Sequence, residues 1–322
     1  VSGELVLRRA GEADLPGILA VARESLDWDD DERHEAFFAW KHLENPVGPS
    51  PMWVADDGGT IVAFRTFLRW EWRRPDGTIA GTVRAVDTAT HPDHQGRGLF
   101  TALTMGALDE LTAEGLDFVF NTPNDQSRPG YLKMGWQIIG RPPVRVRPRG
   151  LRGLARLARS RVPAEKWSEP ATFGQAAAEA FAGADLDGVA EALTTDTLAT
   201  NRTPTYLRWR YGFAPLHYRV VRRGDDLTDG FAVVRLRHRG AAVEGTVCEL
   251  VVPGGDGRAI RHLLGQVEGA DYLLVAGRLS PADGGLLPAP HQGPQVTWRA
   301  LNEQEPPALR GWTLSLGDLE LF

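Results

Sequence analysis

Thr90-His91-Pro92 closes a strand-like stretch, and Gln95-Gly96-Arg97-Gly98-Leu99-Phe100 follows directly before a long apolar-periodic segment. Glycines at a helix start let the backbone approach a ligand closely. The first-turn N–H groups there are unpaired and the helix dipole is positive, so the chemistry on offer is anion binding. The three-glycine fingerprint of a dinucleotide fold is missing, and so is the Gly-Lys-Ser/Thr of a nucleotide phosphate loop. Other polar groups lie nearby in sequence. Asp87, eight residues before Gln95, puts a carboxylate on the strand that feeds the loop, and Asn124, Ser127 and Tyr131 add an amide, a hydroxyl and a phenol downstream.

Leu5 to Arg9 alternates like a short strand, and Asp14 is placed to cap a helix running to about Leu26. Glu32 to Leu43 reads as a second helix, stopped near Asn45-Pro46. Met52 to Ala55 and Thr60 to Trp72 are strands joined by Asp56-Asp57-Gly58-Gly59, a strong hairpin signal. Ile79 to Thr90 is a third antiparallel strand. A helix from about Gly98 to Glu114, a strand at Phe118 to Phe120, a short helix around Ser127 to Met134 and a strand at Trp136 to Ile139 complete the first half.

The chain has 322 residues, long for one domain and comfortable for two. Hydrophobic content of 42% and charged content of 24% are ordinary for a globular protein. A net charge of -6 argues against a nucleic-acid partner, which needs a basic surplus. The single cysteine, Cys248, excludes an intramolecular disulfide and a cysteine-rich zinc site. No apolar run approaches membrane-spanning length, and the first residues lack a basic-then-apolar leader pattern. A cytoplasmic protein with no membrane partner is expected.

Residues 141–170 differ in composition, with Pro142-Pro143, Pro148, Pro163 and a basic amphipathic helix from Leu151 to Arg161, and are read as a linker. The second half repeats the first. Leu207-Arg208-Trp209-Arg210 parallels Phe38-Ala39-Trp40-Lys41, and a hairpin from Tyr218 to Arg235 parallels Met52 to Arg65. A strand (Thr246 to Val252), a glycine-rich turn, a helix (Ala259 to Val267) and a strand (Tyr272 to Ala276) continue the order. Expected boundaries are therefore 1–140, a linker over 141–170, and a second domain over 171–322.

The order hairpin, strand, glycine loop, helix, strand resembles the GNAT superfamily of acetyl-CoA-dependent N-acetyltransferases. Gln95-Gly96-Arg97-Gly98-Leu99-Phe100 is similar to that family's pyrophosphate loop, with bulky Phe100 as the departure. Asn124 to Ser127 followed by Tyr131-Leu132-Lys133-Met134-Gly135-Trp136 resembles its second signature. The resemblance implies an α/β (α+β) fold with a mixed sheet, a GNAT catalytic domain over residues 1–140 and a degenerate GNAT-like domain after it.

It also implies roles. Thr88, Ala89 and Thr90 would bind the pantetheine arm of acetyl-CoA, with the N–H of Ala89 or Thr90 facing the oxyanion. Amides of Gln95, Gly96, Arg97, Gly98, Leu99 and Phe100 would hold the pyrophosphate, with Asn124 and Ser127 on the pantetheine side. Tyr131 would be the acid for the departing thiolate. The base is open between Asp87, water and the terminal carboxylate of Phe322, with His91 and His94 expected toward solvent or phosphate. Trp28 and Trp72 are candidates to line an acceptor pocket. Asp256, in the corresponding turn of the second half, would repel a pyrophosphate. The activity implied is acetyl transfer to a primary amine of a small molecule (amino sugar, aminoglycoside or polyamine) by direct attack, without a metal. A non-catalytic coenzyme A sensor is the alternative, and a homodimer is left open.

Overall fold

Runs of β-branched and aromatic residues build the first sheet, and tight turns fix its order. The computed structural model describes residues 5–26, 28–160, 162–183, 186–193, 195–277, 279–280, 282–289, 293–303 and 305–320. Strands β1 (Leu5–Arg9), β2 (Met52–Asp57), β3 (Thr60–Arg73) and β4 (Ile79–Thr90) are successive antiparallel neighbours. Gly58 and Gly59, at φ 61° and 94°, form the two-residue turn between β2 and β3, where both positions need positive φ. β4 then pairs in parallel with β5 (Phe118–Asn121), with helix α3 (Leu99–Ala113) as the crossover.

Alternation along these strands separates two apolar faces. Leu99, Leu103, Ala107 and Leu111 of α3 pack with Phe67, Val83 and Val119 on one. On the other, Ile18, Val21 and Ala22 of α1 (Leu15–Ser25) and Phe38 of α2 (Arg33–His42) pack on Val54, Phe64 and Ala89. Asp14 does not cap α1 with its side chain; it accepts from Gly11 N and pairs with Arg8, whose strand lies close by. After α4 (Arg128–Lys133) and β6 (Gln137–Gly140), the sheet is completed by β15 (Val296–Ala300), which lies between β5 and β6 and is antiparallel to both.

The chain divides into two units: residues 1–73, 77–140 and 295–308 form one, and 74–76, 141–294 and 309–322 the other. The second contains β7 (Val144–Pro148), α5 (Gly150–Arg159), β8 (Gln175–Ala176), α6 (Ala177–Ala182), α7 (Leu186–Ala192) and β9 (Leu198–Thr200). Next come α8 (Pro204–Gly212), β10 (Arg219–Arg222), β11 (Phe231–Arg239), β12 (Ala242–Val251), α9 (Gly257–Gly265), β13 (Tyr272–Ala276) and β14 (Leu287–Pro288). β16 (Trp312–Thr313) and α10 (Leu316–Leu319) end it.

Its sheet runs β14-β7-β13-β12-β11-β10-β8, with β10, β11 and β12 antiparallel and β12 parallel to β13 across α9. That is the plan of the first unit again.

The expected linker over 141–170 is corrected by this topology. Val144–Pro148 is a full sheet strand between β13 and β14, with Val144 and Val146 buried. Prolines bracket that strand rather than interrupt it, so their density imitated a linker. The second domain also does not run unbroken to 322, because residues 295–308 belong to the first unit.

Candidate functional site

β4 is interrupted where it matters. Arg65 of β3 faces Thr88 and the next residue, Thr66, faces Val86, so Asp87 is bulged out of the ladder. Its φ of 35° is rare for a residue with a side chain. Lys41 and His42, at the C-terminal end of α2, hold this carboxylate: the Lys41 ammonium pairs with Oδ2, and His42 Nε2 reaches the same oxygen at 2.7 Å. His42 Nδ1 lies 2.9 Å from Ser50 Oγ.

Burial opposes ionisation of the Asp87 carboxyl, but the Lys41 charge and the His42 hydrogen bond outweigh it and hold the group well below the carboxylate range. Burial lowers the pKa of His42, against the pull of Asp87. A neutral His42 thus donates from Nε2 to Asp87 and accepts from Ser50 at Nδ1. Asp87 Oδ1 accepts no hydrogen bond among the described residues. The expectation of Asp87 as base meets a physical obstacle here, since a base needs a pKa near the working pH. The partner is Lys41, and not Arg84, whose Nη2 instead donates to Thr122 Oγ1.

β4 and β5 pair only over Thr82–Arg84 and Phe118–Phe120, so the following residues of β4 have one edge without a strand partner on the β5 side. His91 N donates to Val62 O on β3. By alternation Ala89 N also faces β3, which puts the amides of Thr88 and Thr90 on the open edge. Of the two expected oxyanion donors, Thr90 is the one on that edge. Its carbonyl accepts from Ser25 Oγ at 3.2 Å and Gln95 Nε2 at 3.3 Å.

The loop then enters α3 through Gly96 and Gly98, both at φ 75°. Gly98 is the N-cap and supplies no side-chain cap, so the first-turn amides stay available. A Cβ at either glycine would meet nothing within 4 Å, so conformation and not space requires glycine here. Arg97 Nη2 donates weakly to Asp93 O at 3.4 Å. Leu99 faces the core, and Phe100 turns its ring to Tyr131, 5.3 Å away and edge-on at 87°.

Tyr131 of α4 is buried, and its hydroxyl accepts a 2.6 Å hydrogen bond from Arg65 Nη2. Arg65, at 1% exposure, stands among the rings of Phe67, Phe100 and Tyr131, with Cζ 4.9 to 5.6 Å from their centroids. No carboxylate pairs with it among the described residues, and its Nε has no hydrogen-bond partner. Aromatic faces and one phenol oxygen thus stand in for a counter-ion. A charged residue inside Ala63-Phe64-Arg65-Thr66-Phe67 was the available sequence signal for Arg65. For Lys41 and His42 there was only the position at a helix end.

Asn124 Oδ1 accepts from Ser127 N at 2.8 Å and Ser127 Oγ at 2.9 Å, a local turn that starts α4. His91 pairs with Glu24 at 2.8 Å and His94 with Asp57 at 3.3 Å, so both side chains have acidic partners. Trp28 stacks on His34, 5.2 Å between centroids. Trp72 is fully buried, edge-on to Phe120 at 5.0 Å, which corrects its expected place in an acceptor pocket. Phe322 lies outside the described residues.

The second unit repeats the bulge without repeating the loop. Val233 faces Glu249 and Val234 faces Val247, leaving Cys248 bulged as Asp87 is. Each bulged residue stands five before a proline, Pro92 or Pro253. Burial pushes the Cys248 thiol up to about 12. The start of α9 is closed by its own N-cap, Asp256, whose Oδ1 accepts from Arg258 N at 2.8 Å. A carboxylate already occupies the place an anion would take.

Residues 6–139 match the family described as Acetyltransferase (GNAT) domain. Over these residues the chain carries a GNAT acetyltransferase domain. Solved structures share the fold over both units. A GCN5-related N-acetyltransferase from Kribbella flavida is 15% identical with a TM-score of 0.63, over 92% of this chain and 72% of that one. A protein of unknown function from Enterococcus faecalis V583, described as a probable N-acyltransferase, is 11% identical with a TM-score of 0.66, over 92% and 72%. Eis1 from Mycobacterium abscessus is 15% identical with a TM-score of 0.57, over 92% and 74%. No curated protein matches the chain by sequence. Among the described residues no helix is long and apolar enough to cross a membrane.

Proposed function

We propose that the first unit transfers the acetyl group of acetyl-CoA to a primary amine of a small molecule, an amino sugar, aminoglycoside or polyamine, by direct attack in a ternary complex. The observation that carries this is the uncapped glycine start of α3, set directly after a β4 whose edge is open beyond Arg84. The amides of Gly96 to Phe100 suit a pyrophosphate, and those of Thr88 and Thr90 suit the pantetheine arm and the thioester oxygen. Asn124 keeps its NH₂ for the same arm, while its oxygen and Ser127 shape the turn.

Acetyl-CoA supplies the activated thioester; the chain supplies position and protons. Tyr131 gives its hydroxyl proton to the departing thiolate as the carbon–sulfur bond breaks. Arg65 already donates to that oxygen, so the phenol hydrogen is left for the thiolate and the resulting phenolate is held by a cation. Asp87 acts as a fixed anion, with Oδ1 receiving the substrate ammonium and the excess proton passing to water. Phe100 belongs to this arrangement, because its ring is one wall around Arg65 and Tyr131.

A thiol-release assay with acetyl-CoA and an amine panel tests this reading. The tying of Asp87 to Lys41 and His42 favours a second one, a coenzyme A sensor without turnover. Calorimetric binding of coenzyme A with no thiol release on any amine selects it.

A further inference from the structure

The equivalence of the two bulges gives the second unit a site of its own. Aligning Asp87 with Cys248 and Pro92 with Pro253 sets Thr88, Ala89 and Thr90 opposite Glu249, Leu250 and Val251. β12 and β13 pair only as far as Val247 and Val275. Past that point lies a cavity of about 250 Å³, bounded by Glu249, Leu250, Val251, Ala276 and Leu314 among others. It occupies the place in the second unit that the open edge of β4 occupies in the first.

Its floor is charged. Glu249, 3% exposed, receives Arg202 Nε at 2.9 Å and the Tyr211 hydroxyl at 2.7 Å, both on Oε1. Arg202 is shared with Asp318 at 2.7 Å. Glu249 Oε2 accepts no hydrogen bond among the described residues, although Glu249 lines the cavity. Oε2 is therefore the atom of this otherwise buried side chain that is reached from the cavity, where a ligand N–H can donate to it in place of water. The parallel with Asp87 is close: one oxygen is tied to the end of the preceding helix (His42 on α2, Tyr211 on α8), and the other accepts no hydrogen bond among the described residues.

We propose that this cavity binds a small ammonium ion carrying an apolar substituent, its N–H donating to Glu249 Oε2 and its hydrocarbon lying on Leu250, Val251 and Leu314. The capped start of α9 removes the phosphate cradle, so the second unit is a separate amine site and not a second coenzyme A site.

The probe is cyclohexylammonium, titrated into the full chain by calorimetry beside cyclohexanol and cyclohexanecarboxylate. Glu249→Gln should weaken cyclohexylammonium binding by roughly 10-fold or more, the loss expected for one charged hydrogen bond. Ala276→Leu, at a half-buried position away from the Arg202 network, should weaken it by filling the cavity while leaving the thermal midpoint unchanged. Coenzyme A affinity, read on the same variants, should not move, which keeps this proposal separable from the function of the first unit. No measurable ammonium binding, binding equal to that of cyclohexanol, or binding insensitive to Ala276→Leu would overturn it.

Discussion

Arg65 Nη2 donates to the Tyr131 hydroxyl at 2.6 Å, inside a ring of three aromatic side chains and with no carboxylate partner among the described residues. A buried cation placed this way stabilises negative charge on the phenol oxygen. Replacing Arg65 by Met should lower kcat by about 10-fold, in the range of a lost charged hydrogen bond. Folding stability should change by no more than about 2 kcal/mol, because removal of an unpaired buried charge offsets the orphaned phenol. Activity and thermal denaturation of one variant check both halves. A large loss of stability with normal kcat would make Arg65 a packing residue only.

Asp87 anchors Lys41 and His42, so its removal should be felt in the fold before it is felt in chemistry. Asp87→Asn leaves the Lys41 ammonium buried beside a neutral amide and should cost about 3 kcal/mol, the scale for breaking a buried ion pair. Lys41→Met in the same background should recover part of that loss. Denaturant titration of the two single variants and the double variant measures the coupling. Additive effects would contradict the pairing.

Acid should weaken the first unit in two windows. His42 has its pKa lowered by burial, so the unfolded chain takes up that proton first as pH falls below its ordinary value near 6.5. Stability is fully present above that pH and declines below it. The lowered pKa of Asp87 acts with the same sign, but its decline begins only below about pH 3.9, the unfolded value. Thermal midpoints across this range should show the first decline, and His42→Gln should flatten it. An unchanged profile in that variant would assign the decline to other groups.

Gly98 and the glycines of the corresponding turn in the second unit allow an internal comparison. Gly98, Gly254 and Gly255 all have positive φ, so an alanine at any of them should cost about 1 kcal/mol of stability. Only Gly98→Ala should also weaken coenzyme A binding, since Asp256 already caps α9. Calorimetry with coenzyme A on the three variants separates the effects. Equal losses of affinity would mean that both turns meet the ligand.

Much of the fold was legible because its signals are local. The Gly58-Gly59 turn, the alternation through Ile79–Thr90 and the apolar period of Leu99–Ala113 each specify an element without reference to distant residues. Val144–Pro148 was not legible as a sheet strand because its partners, β13 and β14, come more than a hundred residues later. The exchange of Val296–Ala300 into the first sheet is hidden for the same reason. In the site, the glycine loop and Tyr131 carry sequence patterns. The partners of Asp87 do not, because a bulge at one residue decides which way its carboxylate turns, and nothing in Ala85-Val86-Asp87-Thr88 announces it. Phe100 looked like a departure from a loop pattern and proves to be a neighbour of Tyr131, a relationship only the packing of α3 against α4 can supply.

The central claim is that the first unit transfers an acetyl group with Tyr131 as the acid. Thiol release from acetyl-CoA across a panel of amino sugars, aminoglycosides and polyamines tests it most directly, run on the parent chain and on Tyr131→Phe. The account predicts amine-dependent release by the parent and a kcat lower by roughly 10- to 10³-fold in the variant, with coenzyme A affinity retained. Equal turnover by the two proteins, or binding of coenzyme A without release on any amine, would contradict it.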